Sequence, residues 1–206
     1  MTGKRRIEPY HVVAVVLSLL ALLAMGKTLF SGLEIDEQYA LSIGWRLVKG
    51  DALLYTMWEP HQMSALPSAL LLWLFYTVTG TTTGVLLFVR AVMLLLKAGL
   101  SVWFYRTLRP RLSAQTTFLA ALALFVYTPK WFLGPDYISQ QFHFAVAAFL
   151  CFYGYLENHR GLWRMIPGGI FLSLSVLAFP QSAFAAPFVF VGLFLLGRRR
   201  GERRLA

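Results

Sequence analysis

Residues Glu34–Pro60 read EIDEQYALSIGWRLVKGDALLYTMWEP and hold Glu34, Asp36, Glu37, Asp51 and Glu59, five of the nine acidic residues in the chain. Within them Ala40, Leu41, Ile43, Gly44 and Leu47 recur at helical spacing. Asp36 stands where a helix N-cap belongs, and Gly50 just past where that helix should stop. The stretch therefore predicts a short amphipathic helix led by carboxylates. An acidic loop follows it and closes on Trp58-Glu59-Pro60-His61.

Outward from that stretch the chain turns apolar on both sides. Runs cover 12–30, 63–78, 85–108, 112–127, 138–156 and 163–196, the last broken at Pro180-Gln181. Several approach the roughly 20 residues that cross a bilayer core of about 30 Å. The chain is 58% hydrophobic and 14% charged with mean hydropathy +0.62, whereas soluble domains carry about 25% charged residues. Backbone inside lipid must satisfy its own hydrogen bonds, and no run alternates as a strand would. The fold class expected is all-α: a polytopic membrane helical bundle of about six transmembrane helices plus two outer juxtamembrane helices. It forms one domain over 1–206, with outer loops at about 31–82 and 129–137. The net charge of +10 does not point to nucleic acid, because the basic residues gather at the ends of apolar runs. Cys151 stands alone in an apolar run, so no disulfide framework exists. Lys4, Arg5 and Arg6 precede a long run without a small-residue cleavage site, which reads as an uncleaved first span.

Orientation follows from four basic clusters, at 1–6, 106–111, 157–164 and 198–204. The positive-inside rule puts all four, and both termini, in the cytoplasm, so an even number of crossings must separate each from the next. Three runs lie between Arg6 and Arg106. The weakest, 63–78, is short, contains Pro67 and ends in TVTGTTTG, so we place it on the outer surface of a plasma (inner) membrane. Glu34–Pro60 then faces outward, together with Asp136 in PKWFLGPDY. A seven-span arrangement, with 63–78 crossing, is the alternative.

Several residues stand out on their own chemistry. Arg90 and Lys97 lie seven residues apart on one helical face within a span, where charges are costly and mark functional sites by default. Arg90, near the outer end, is placed to meet a lipid phosphate. Lys97, deeper, is placed to pair with an acid, line a polar cavity or bind a lipid head group. Lys27 and Lys130 are either further phosphate contacts or ordinary interface cations. His61 beside Glu59 is a metal or acceptor contact or simply exposed, and His143 forms a polar mouth with Gln140 and Gln141. Trp45, Trp58, Trp73 and Trp131 suit an interface belt or sugar stacking. There is no Walker loop, no His/Cys metal spacing and no Ser nucleophile elbow.

The order of these features resembles a known family. An N-terminal span leads to a helix opening Asp36-Glu37-Gln38-Tyr39, then Gly50-Asp51, Trp58-Glu59-Pro60 and an outer surface helix. A span ending in a basic loop and a span ending in an outer loop with Asp136 follow. This is similar to the N-terminal half of the GT-C-fold glycosyltransferases, the protein mannosyltransferase and aminoarabinose transferase group. The resemblance implies sugar transfer from a polyprenyl-phosphate donor, with Asp36 as catalytic base and Glu37 as the adjacent alternative. Asp136 and Glu59 would be acceptor or metal ligands, Tyr39, His61, Arg90 and Lys97 substrate contacts, and Asp36, Glu59 and Asp136 the set for a divalent cation. Members of the group commonly run much longer, so the expected partners are a lipid-linked sugar donor, membrane lipids and a second chain supplying the missing C-terminal half. The alternatives are a non-catalytic membrane subunit or lipid-binding scaffold of the same fold, and a small transporter using Arg90 and Lys97.

Overall fold

A computed structural model describes residues 9–59, 61–158, 163 and 165–199. The basic residues at 4–6, 160, 164 and 200–204 that set the expected orientation, and Pro60, lie outside them. The described residues form eight α-helices: α1 Pro9–Thr28, α2 Ile35–Val48, α3 Ala65–Thr79, α4 Val85–Leu108, α5 Ala114–Val126, α6 Tyr137–Asn158, α7 Met165–Ala178 and α8 Ala186–Arg199. Short 3-10 turns, Gln62–Ser64 and Pro180–Phe184, precede α3 and α8, and no strand occurs among the described residues. The apolar runs and the helices coincide, so the all-helical class holds. Two helices are long and apolar enough to cross a membrane, Tyr10–Thr28 in α1 and Val85–Leu108 in α4.

The helix that opens the acidic stretch starts one step earlier than its sequence suggests. Glu34, not Asp36, is the N-cap: its carboxylate accepts from the Ile35 N–H at 3.0 Å, and Asp36 and Glu37 fall in the first turn beside the positive end of the dipole. Gly50 sits past the C-cap Lys49 with φ +100, the left-handed geometry that only glycine adopts without strain. Pro67 lies in the first turn of α3, where no intrahelical N–H is needed, so it does not interrupt the helix.

Three packed groups build the molecule. α2 lies against α3, sealed at the loop end by Ile43, Met57 and Ala65. α1 and α4 flank α5 around Ala21, Met25 and Phe125. α6, α7 and α8 close around Ala148, Phe152 and Leu193. α5 has 13 residues and spans only about 20 Å at 1.5 Å per residue, short of a bilayer core.

The segment after α5 is more closely packed than a solvated loop. Residues 129–137 were expected as an outer loop, yet Phe132, Leu133, Gly134, Pro135 and Asp136 are all buried. Leu133 inserts into the cluster of Ala21, Met25 and Phe125. The segment is a plug, packed by residues 132–136 against the bundle.

Candidate functional site

Arg90 is buried, and all five of its N–H groups have acceptors. Nε and Nη2 donate to the two carboxylate oxygens of Glu37 at 2.8 and 2.6 Å. Nη1 donates to the carbonyls of Leu29 and Ser31 at 2.9 and 2.7 Å, and Nη2 also to Gly32 at 3.0 Å. Both side chains are sequestered, Arg90 at 1% and Glu37 at 0% exposure. The arrangement is a bidentate, charge-assisted clamp that fastens α4 to the α1–α2 turn and to the start of α2. The sequence offered Arg90 as a lipid-phosphate contact and Glu37 as a second catalytic candidate. With five donors spent, Arg90 has none left for a phosphate, and Glu37 faces inward.

Asp36, one position before Glu37, points the other way. Its carboxylate meets the ammonium of Lys130, which also donates to the Tyr137 hydroxyl at 3.1 Å and lies 4.6 Å over the Tyr137 ring. On the same ring His61 stacks at 4.2 Å and 14°, and Phe179 lies next at 5.7 Å. Five separate segments therefore meet here: the start of α2, the α2–α3 loop, the segment after α5, the start of α6 and the α7–α8 turn. His61 and Trp131 hold left-handed backbone, φ 56 and φ 64, at either side of the cluster. Non-glycine residues in that region are strained, and such strain gathers at functional sites.

The charges of this cluster bias one another. Burial pulls the Lys130 ammonium down, but its hydrogen bonds to Asp36 and Tyr137 prevail and hold it above its ordinary 10.5. Burial, and then the Lys130 charge, lower His61 below 6.5, which keeps the imidazole neutral at physiological pH. Tyr39 is raised above 10.0 by burial, then by Glu59 and Tyr137, which places it beside both. Glu59 itself lies 4.0 Å from Arg46, whose Nε is bonded to Asp51 at 2.6 Å.

The remaining candidates lie deeper. Asp136 is fully buried and caps α6: its Oδ1 accepts from the N–H groups of Ile138 and Ser139 at 2.9 and 3.2 Å. Burial raises its pKa above 3.8, against those hydrogen bonds and the nearby Lys130 charge, and its Oδ2 has no hydrogen-bond partner among the described residues. Among the described residues Lys97 pairs with no acid; it donates to the carbonyl of Tyr127, the C-cap of α5, at 2.5 Å. There it neutralises the negative end of a helix that stops inside the bundle. Gln140 donates to the carbonyls of Ser64 and Pro135, tying α6 to the α3 turn. Asp36, Glu59 and Asp136 do not assemble as a cation site, and no group of three His, Cys, Asp or Glu that could hold a metal occurs among the described residues.

The chain matches no family model, and no curated protein or solved structure matches it. Its functional reading rests on this geometry.

The sequence undervalued Lys130, which it offered as one interface cation among several. It singled out neither Tyr137 nor Phe179 in the aromatic stack. No local signal marks Lys130, because what distinguishes it is the meeting of residues 36, 61 and 137 across long stretches of chain. A better clue was the Pro129-Lys130-Trp131 and Gly134-Pro135 pattern, which forbids helix and leaves a rigid segment for positioning a side chain.

Proposed function

We propose that the chain is a membrane glycosyltransferase, or the N-terminal core of one, acting on a polyprenyl-phosphate-linked sugar at the outer face of a plasma membrane. The observation that supports this most is the accessible Asp36 carboxylate, held by Lys130 beside the His61–Tyr137–Phe179 stack. A base, a cation and an aromatic platform at one place are what transfer of a sugar from a lipid phosphate requires. Asp36 takes the proton of the acceptor hydroxyl, whose oxygen bonds to the anomeric carbon as the sugar–phosphate bond breaks. The electron pair leaves on the phosphate, where the Lys130 ammonium stabilises the charge. The aromatic faces hold the sugar ring. The three-carboxylate cation set expected from the sequence is not assembled, and no step is routed through a metal.

The same reading includes six crossings, cytoplasmic termini and α3 resting on the outer surface. The shortness of α5 is offset by the plug, whose residues 132–136 are packed against the bundle.

The test is transfer of radiolabelled sugar from polyprenyl-phosphate donors in membranes expressing the chain beside its Asp36→Asn variant. Transfer should fall by about two to four orders of magnitude when the base is lost, with insertion unchanged. Equal transfer by both proteins sinks the role given to Asp36.

One observation favours a second reading. Glu37, Arg90, Lys97 and Asp136 all serve the framework, which is the pattern of a lipid-binding scaffold or membrane subunit partnered by a second chain. No transfer from any donor by an inserted, stable protein selects that reading.

A further inference from the structure

A groove of about 480 Å³ opens between α3, α4, α6 and α7, away from the Asp36 cluster. Leu71, Leu96 and Phe144 are among its apolar walls, and its polar lining is Lys97, Gln140 and His143. The Gln140 amide nitrogen is committed to Ser64 and Pro135. The other two are not satisfied by protein. Lys97 is 3% exposed and has a single acceptor, the Tyr127 carbonyl, with no carboxylate in ion-pair reach among the described residues. The His143 Nδ1 lies 2.6 Å from the Ser139 carbonyl oxygen, which can only accept, so Nδ1 carries the proton. In the neutral ring Nε2 is then a lone pair, and it is buried without any hydrogen bond to the described residues. Lys97, Ser139 and His143 together border a cavity of about 10 Å³, room for roughly one water-sized group.

An ammonium with unspent N–H groups and a lone pair with no donor, at the wall of an apolar groove, define a complementary head. It must accept from Lys97 and donate to Nε2, and it must offset a buried positive charge. A carboxylic acid meets these needs: its proton passes to Nε2, and the carboxylate left behind accepts from both the ammonium and the imidazolium. We propose that the groove binds a single long-chain fatty acid, carboxyl inward on Lys97 and His143 and chain along α3 and α6. A neutral alcohol of the same length fails to offset the charge. A phosphate monoester brings a second charge and a bulkier head to the same pair of side chains.

The site is tested without any transfer assay. The full-length protein in phosphatidylcholine nanodiscs is titrated with hexadecanoic acid, hexadecanol and hexadecyl phosphate. Saturable binding of the acid, about tenfold or more tighter than either analogue, is expected. His143→Phe should weaken the acid about tenfold, and Leu71→Trp should abolish its binding by filling the groove without touching the polar pair. Lys97→Met is expected to do the same as His143→Phe, but it also uncaps α5, so the two other variants decide. Equal binding of acid and alcohol, preference for the phosphate, or binding unchanged in both His143→Phe and Leu71→Trp overturns the proposal.

Discussion

Asp36 and Glu37 are adjacent, equally acidic and equally placed in the first turn of α2, yet they have opposite fates. Neighbours on a helix project about 100° apart, so one meets Lys130 at the surface while the other is driven into Arg90. The sequence could not separate them, because which side of α2 faces the core depends on where α4 lies. The pair Glu37–Arg90 has a measurable signature. Arg90→Met strands a fully buried carboxylate and should destabilise the protein by about 3–5 kcal/mol. Adding Glu37→Leu should restore most of that loss, because an apolar pair of similar volume is often neutral. Thermal unfolding in detergent of the two single variants and the double closes the cycle; additive losses remove the clamp as an explanation. His61 carries a second prediction. Its pKa is depressed by burial and by Lys130, so the stability it contributes is present above its ordinary 6.5 and lost as pH falls through the depressed value. The thermal midpoint should therefore decline on acidification below 6.5, and His61→Phe, which keeps the stack without the charge, should flatten that decline. An unchanged decline in His61→Phe places the titration elsewhere.

Among the elements, helices were legible and the plug was not. Runs of apolar residues some 13 to 24 long announce helices whatever surrounds them, and α1, α4 and α6 follow their runs closely. Residues 127–136 carry turn formers and aromatics, which read as surface loop by every local rule. The burial of 132–136 follows from Leu133 entering the α1–α5 cluster and from Lys97 holding the end of α5, both tertiary facts. The site inherited this gap: Asp36 and Lys130 were each named, but their pairing was not. The approach of α2 to α3 is set at Gly44, where an added Cβ would come within 3.0 Å of the Ala69 backbone nitrogen and of Ser68 and Leu72. The neighbours must shift to admit a side chain, so Gly44→Leu should part the two helices and cost about 1–3 kcal/mol. Because α2 carries Asp36, the loosened variant should also bind Lys130 less firmly, whereas Gly26→Leu, with open space around it, should change neither. A Gly44→Leu protein with an unchanged melt sinks this account of the α2–α3 packing.

At the scale of the whole molecule the open question is how many times the chain crosses the bilayer, and α3 decides it. The helix has 15 residues, about 22 Å, below the thickness of the bilayer core, and it packs chiefly on α2 rather than among α4 to α8. Both features suit a helix resting on the outer surface beside its partner. The basic loop at 106–111 requires the same placement, since a crossing α3 would export Arg106, Arg109 and Arg111 against the positive-inside tendency. The prediction is one of sidedness. In a Cys151→Ser background, Trp58→Cys before α3 and Thr82→Cys after it should both react with an impermeant maleimide in intact cells. Arg109→Cys, beyond α4, should react only once the membrane is opened. Trp58 is 79% exposed and Thr82 lies in an exposed turn, so neither needs local unfolding to be labelled. Labelling of Trp58→Cys and Thr82→Cys from opposite sides makes α3 a span and gives seven crossings. With α3 a span, α4 and the crossings after it would run the other way and leave Lys130 on the face opposite Asp36, which their ion pair contradicts. A chain of that topology would carry its carboxylate and its basic loops on the same side, and the outer-face reading of the site would fall with it.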